Sequence, residues 1–157
     1  MLVFKITESD VKAFMAQLLR DDTFYLFDVR GVEIAAMTKF QISGALDKDY
    51  IEGEAEQEAG LYCPWRLLQP TVRELIKGKK RPKSIKLTLS LPAERTSALH
   101  QNASAFFLNI SYEHDEILCT TGASEKHFSM DKAVNAAWDD YIKAFIEEKN
   151  VVISAWM

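Results

Sequence analysis

Six bases fall between Lys77 and Lys86 with no acid among them: Lys77, Lys79, Lys80, Arg81, Lys83 and Lys86. A run this dense can contact anions or nucleic acid, because each neutralised phosphate releases a counterion and binding strengthens at low salt. No aromatic residue interleaves the bases, so they do not form a stacking platform for single strands. A solvated loop between a helix and a strand, with Lys77 complementing the helix C-terminus, is the plainer reading and is preferred. Thr120-Thr121-Gly122-Ala123-Ser124 gathers hydroxyls and a glycine that, in a turn, would present amides to an anion. It lacks the spacing and the lysine of a P-loop, and a tight hairpin explains it more simply.

The remaining reactive side chains are scattered. His100, His114 and His127 form no His-x-x-x-His pair, and with Cys63 and Cys119 they match no zinc spacing. No metal site and no cofactor is therefore expected. Cys119 and His127, eight residues apart across an expected hairpin, are formally a nucleophile and base; a small buried strand thiol is the better reading. Tyr62, Pro64, Trp65, Leu67 and Leu68 make an apolar patch. Tyr62 and Trp65 are candidates for a partner surface, against the preferred alternative that the patch anchors a connector to the core.

Elements that would position these groups follow from periodicity. Leu2, Phe4 and Ile6 alternate as a half-buried strand. Thr7 opens Thr-x-x-Asp, a capping-box-like start in which Thr7 accepts from the Asp10 amide. Val11, Phe14, Met15, Leu18 and Leu19 then form the apolar stripe of a helix to about Arg20. Three short strands are expected next: 24–29, 32–37 and 40–45, separated by Arg30-Gly31 and Thr38-Lys39. The order repeats from Ser84: a strand with Ile85, Leu87, Leu89 and Leu91 inward and Lys86, Thr88 and Ser90 outward, a helix from Pro92, then strands at 106–112, 117–121 and 126–129.

The chain thus reads as a single domain, 1–157, holding two strand-helix-three-strand copies at about 1–45 and 84–130 related by a pseudo-twofold. Outside them lie an acidic connector at 47–60, a short helix at 70–77 ending at Gly78, and a C-terminal amphipathic helix at 131–149 capped by Ser129. That helix would bury Val134, Trp138, Tyr141, Ile142 and Phe145. The expected fold is α+β with a largely antiparallel sheet, because most strands connect through turns too short for a crossover.

Net charge is −4 and apolar content 48%, which gives no global electrostatic case for nucleic acid or an anionic membrane. No basic, apolar leader and no run of membrane-spanning length is seen. Two cysteines do not make a disulfide framework, so reduced thiols in a cytoplasm are expected.

Two resemblances are carried by particular stretches. KITESDVKAFMAQLL, LIKGKKRPKSIKL and FLNISYEHDEILCTTGASEKHFSMDK resemble a family of small uncharacterised proteins from anaerobic Gram-positive bacteria (Firmicutes), which implies no activity and no functional residue. FFLNISYEHDEILCTTGASEKHFSM and MLVFKITESDVKAFMAQLLRDDTFYLFDVRGVEIAAM resemble strand runs of DNA sliding-clamp domains, which implies a DNA-clamp-like fold. Clamp helices face DNA with several bases; here the first helix offers Lys12 and Arg20 and the second Arg95 and His100. The preferred function is non-catalytic binding or assembly, with a protein partner or a second copy. Two alternatives stay open: a clamp-like nucleic-acid-associated protein using the basic run, and an enzyme on a small anionic substrate held by Lys79, Arg81 and Thr120–Ser124.

Overall fold

The structure, a computed structural model, describes residues 1–50, 60–78 and 80–157. Lys79 and residues 51–59, with Glu52, Glu54, Glu56 and Glu58 of the expected acidic connector, lie outside the described residues. Along the chain run β1 (Val3–Ile6), α1 (Glu8–Leu19), β2 (Asp28–Ala35), β3 (Lys39–Ser43), β4 (Cys63–Pro64), α2 (Trp65–Ile76), β5 (Ser84–Ser90), α3 (Ala93–Leu99), β6 (Ala103–Glu113), β7 (Glu116–Glu125), α4 (Ala133–Glu148) and β8 (Ala155–Trp156).

The strands form one sheet in the order β3-β2-β5-β6-β7-β1-β8, with β4 pairing on β2, and the described pairings are antiparallel. Residues paired across antiparallel strands share a face, so the register lays out the core as rows. Ile34, Ile85, Tyr112, Ile117 and Ile6 form one row, and Val32, Leu87, Ile110, Cys119 and Phe4 the next. Every member of both rows is buried. The opposite face carries Glu33, Lys86, Ser111, Leu118 and Lys5 in one row and Gly31, Thr88, Asn109, Thr120 and Val3 in another. No member of these two rows is buried, so in this part of the sheet one face is covered and the other more open, as is common in antiparallel sheets.

The helices close the covered side. Phe14 and Leu18 of α1, Trp65 and Val72 of α2, and Val134, Trp138, Ile142 and Phe145 of α4 join one core cluster with the inward strand residues. Trp138 is 1% exposed; it stacks on Phe106 with ring centroids 4.9 Å apart and on Tyr141 at 5.5 Å, and its Nε1 donates to the Phe107 carbonyl at 2.9 Å. The expected stripe of the C-terminal helix is thus seen in place. Trp65 is fully buried and its Nε1 donates to the Leu18 carbonyl at 2.9 Å, while Gln69 Nε2 donates to the carbonyls of Leu18 and Asp21. Arg73 Nη1 donates to the Leu19 carbonyl at 3.0 Å. Side chains of α2 thereby satisfy carbonyls at the α1 C-terminus that would otherwise lack partners.

Several elements differ from expectation. The strands expected at 24–29 and 32–37 are one strand, β2, with Phe24–Phe27 in turns before it. A bulge between Val29 and Gly31 in the pairing with β5 shifts the alternation phase, so inward Val29 is followed by inward Val32 and Ile34. That phase break reads in the sequence as a strand boundary. Likewise 117–121 and the supposed hairpin 120–124 lie within the single strand β7, and 126–129 is not a strand. Each unit therefore contains a strand, a helix and two strands. Their strands are also placed differently: β5 and β6 are neighbours, whereas β1 and β2 lie on opposite sides of the β5-β6-β7 trio.

At the helix termini, Thr7 does not cap with its side chain; its Oγ1 donates to Ser154 Oγ at 3.1 Å, and Ser154 Oγ donates to Asp10 Oδ2 at 2.7 Å. The C-terminal segment thus competes successfully for the capping groups. Helix α2 starts at Trp65 rather than Pro70, which sits inside it. Helix α4 starts at Ala133 after Lys132 in the left-handed region (φ 56°), and Asp131 Oδ1, not Ser129, accepts from the Ala133 amide at 3.0 Å. Ser129 instead donates to Asp131 at 2.7 Å; the Ala133 amide and then Ser129 hold the Asp131 carboxyl below its usual range. Ser90, expected outward, is nonetheless 1% exposed and accepts from Arg30 Nε on that face.

Candidate functional site

A groove of ≈1540 Å³ runs along α1 and is closed on its other side by the end of α2 and the loop leading to β5. On α1, Glu8, Lys12, Met15 and Leu19 share a face by helical spacing, with Arg20 at the end. The far wall consists of Arg73, Glu74 and Ile76 of α2 followed by Lys77, Gly78, Lys80, Arg81 and Pro82. Gly78 takes φ 152°, a value that L side chains rarely adopt, and it turns the chain from the helix into the loop. Ile85 and Tyr112, neighbours in an inward row of the sheet, complete the lining.

Charge and surface in the groove are asymmetric. Its lining holds six bases (Lys12, Arg20, Arg73, Lys77, Lys80, Arg81) against three acids (Glu8, Glu74, Glu116), in a chain of net charge −4. Some bases already have partners: Arg73 on Leu19, Lys77 within 4.0 Å of Glu74, and Arg81 Nη1 at 3.4 Å from Asp115 Oδ1. Among the described residues no ion pair holds Lys12, Arg20 or Lys80, and all three are exposed. Half-buried Met15, Ile76 and Pro82 lie between the charged walls. Tyr112 is 6% exposed; its hydroxyl donates to Asp115 at 3.2 Å. Burial first, and then Asp115, push that phenol up, with Arg81 opposing.

The candidate bases separate. Lys77, Lys80 and Arg81 meet in the groove with Lys12, Arg20 and Arg73 from other elements. Lys86 is paired with Glu33 and Ser111 on the uncovered face, Lys83 is exposed without lining the groove, and Lys79 is outside the described residues. Thr120–Ser124 does not approach Arg81. Arg81 is held at the β6–β7 turn, where His114 (φ 53°) and Asp115 (φ 60°) reverse the chain. Thr120 is five residues further along β7, ~16 Å away at strand rise. Its neighbour Thr121 is buried, donating to Asp139 Oδ1 at 2.7 Å and accepting from the Leu2 amide.

Cys119 is fully buried, and that burial raises its thiol far above the normal range. His127 is exposed beyond the end of β7, which runs six residues past Cys119, ~20 Å at strand rise. Among the described residues no three His, Cys, Asp or Glu side chains gather to hold a metal. Trp65 is in the core. Tyr62 lies half-buried beneath Arg30, whose guanidinium carbon is 3.8 Å from the Tyr62 ring centroid and 5.1 Å from that of Phe107.

Sequence reading missed this second cluster. Arg30 is the extra residue of the β2 bulge, and its Nε donates to Ser90 Oγ at 3.1 Å. Two residues earlier, burial and then the charge of Glu94 push the Asp28 carboxyl up to about 6, with Arg30 pulling back. Burial and then Asp28 raise the Cys63 thiol, with Arg66 opposing. The Arg30-Gly31 pair inside a β-prone stretch was the available signal, since glycine in a strand often marks a bulge.

No curated protein and no solved structure matches the chain. Residues 17–153, from the end of α1 to the approach to β8, match a family of unknown function. The chain belongs to that family, DUF5721.

Proposed function

We propose that the protein is a non-catalytic binding module whose ligand-facing surface is the α1/α2 groove, and that the ligand is anionic. The observation that carries this reading is the convergence of Lys12, Arg20 and Lys80, exposed and unpaired among the described residues, from two separate segments, α1 with its C-cap and the loop before β5, onto one concave surface. Concave walls focus a local potential even when the net charge has the opposite sign. The described lining includes no histidine and no cysteine, so its chemistry suits holding a ligand better than transforming one. The reading places the protein in a cytoplasm with both thiols reduced.

A duplex nucleic acid is the second reading, favoured by the basic wall at Lys77, Lys80 and Arg81 and by the clamp-like strand runs. The two separate by titration against fluorescent polyglutamate and a short DNA duplex at ~50 mM salt. An anion-binding groove predicts saturable polyglutamate binding that weakens about tenfold in Lys12→Ala/Lys80→Ala; no binding, or no dependence on these lysines, overturns it. Clamp-like use predicts duplex binding whose log–log salt slope flattens by ~3 in Lys79→Ala/Lys80→Ala/Arg81→Ala.

A further inference from the structure

We propose that the occupant of this groove is a helical acidic segment of another protein, with its carboxylates on Lys12, Arg20 and Lys80 and its apolar side chains on Met15, Ile76 and Pro82. This rests on the reading of the groove as an anion site and adds the class of partner. Three observations select it. First, the floor between the charged walls is aliphatic, with Met15, Ile76 and Pro82 half-buried and Val11, Leu19 and Ile85 beneath. Phosphate chains do not reward such a floor, whereas apolar side chains do, at roughly 25 cal/mol per Å² removed from water. The one aromatic in the described lining, Tyr112, is buried and hydrogen-bonded to Asp115, so it offers no face for a base to stack on.

Second, the backbone of the groove has nothing to offer an extended peptide. The strands that contribute to it, β5, β6 and β7, are each flanked on both sides by other strands. A peptide adding itself as a strand needs a free sheet edge. A helix satisfies its own backbone and needs only side-chain contacts, and α1 lines the groove with exposed Lys12 and half-buried Met15, with Val11 and Leu19 buried behind them and exposed Arg20 at its end. From Glu8 to Arg20 that wall is ~18 Å long at helical rise, enough for about three turns of a partner helix.

Third, the groove's own ion pairs are with carboxylates. On the far wall Asp115 at the β6–β7 turn holds Arg81, and Glu74 lies within 4.0 Å of Lys77. Those pairs show the spacing at which a Glu or Asp side chain reaches this wall, while Lys12, Arg20 and Lys80 stand without such a partner among the described residues.

The test uses the full chain and three fluorescent probes: a helical peptide of about 16 residues, ~24 Å long, with leucines on one face and glutamates flanking them; the same peptide with serine for leucine; and a short DNA duplex. Anisotropy should show the leucine peptide binding, the serine peptide about tenfold weaker, and the leucine peptide about tenfold weaker again on a Lys12→Glu/Lys80→Glu variant. Both substituted lysines are exposed, and circular dichroism of the variant checks that it is folded. If the serine peptide or the duplex binds as tightly as the leucine peptide, with the same dependence on Lys12 and Lys80, the groove is an anion site but the helical partner is wrong. If no probe binds in a manner that depends on those lysines, the inference and the reading beneath it both fall.

Discussion

The groove and the Asp28–Arg30 cluster stand at opposite ends of β5 and on opposite faces of the same sheet. Ile85, at the start of the strand, lines the groove; Ser90, at its end, lies under Arg30. Both regions are rich in charge, and the charges are used in opposite ways. In the groove Lys12, Arg20 and Lys80 are exposed and, among the described residues, without an ion pair. In the cluster Arg30 is fixed by Ser90 and by the Tyr62 and Phe107 rings, and Asp28 is half-desolvated. Charge left in solvent is cheap to keep and available to a partner. Charge fastened to aromatic rings and a buried hydroxyl belongs to the fold. Density of charge along the sequence therefore points to the binding surface less well than the number of bonds each charge already makes.

That contrast presupposes a firmly packed core beneath both regions, and the largest expected effect tests it. Trp138→Ala removes a 1%-exposed indole that contacts Phe106, Phe27 and Tyr141 and bonds the Phe107 carbonyl. The cost should be about 3–5 kcal/mol from lost burial and cavity formation, read as a shift in the urea midpoint at constant m-value. A loss below about 1 kcal/mol would mean that α4 packs loosely on the sheet.

The next effect sets one cation from each region side by side. Arg30→Ala deletes a stacked guanidinium and leaves Ser90 Oγ without that donor in a nearly inaccessible position. A cation–π contact of ~0.5–2 kcal/mol and an orphaned polar group of ~1–3 kcal/mol together set the expected loss at about 2–3 kcal/mol. Lys80→Ala, exposed and without an ion pair among the described residues, should stay within about 0.5 kcal/mol of the parent. Equal losses for the two variants, in either direction, would erase the distinction between the regions.

Legibility in the sequence followed the same division. The α+β class, the buried stripe of α4 and the inward row of β5 were readable from hydrophobic period, and the largely antiparallel sheet from the shortness of most strand connections. Local breaks in that period misled. The phase change at Arg30-Gly31 looks like a turn but is a bulge, and Gly122 looks like a hairpin but pairs with Phe107 inside β7. Half of the groove was visible as the run at 77–81. Lys12 and Arg20 were visible only as bases of the first helix, and their meeting with Arg73 and the loop was not, because only the pairing of α2 against the α1 C-terminus brings these residues together. Contacts between segments about fifty residues apart leave no local pattern to read.

The smallest expected effect concerns Asp28, and its sign is opposite to that of most carboxylates. Its pKa rises from 3.8 to about 6 in the folded chain, because burial and the charge of Glu94 disfavour the anion more than Arg30 favours it. Below pH 3.8 the group is protonated in both states and contributes no penalty. Between 3.8 and about 6 the unfolded chain gives up the proton first, so stability falls as pH rises; above about 6 the penalty is constant. A shift of this size corresponds to ~3 kcal/mol at 1.36 kcal/mol per unit. Because the carboxyl is only half-buried, solvent screening reduces the expected effect to ~1 kcal/mol. Asp28→Asn keeps the shape and removes the titration. The variant should gain about 1 kcal/mol on the parent near pH 7, and the gain should vanish as pH falls through the same window. Urea denaturation of both proteins from about pH 4 to 7 reads this directly. Parallel stability curves across that range would show that the Asp28 environment is as wet as the groove.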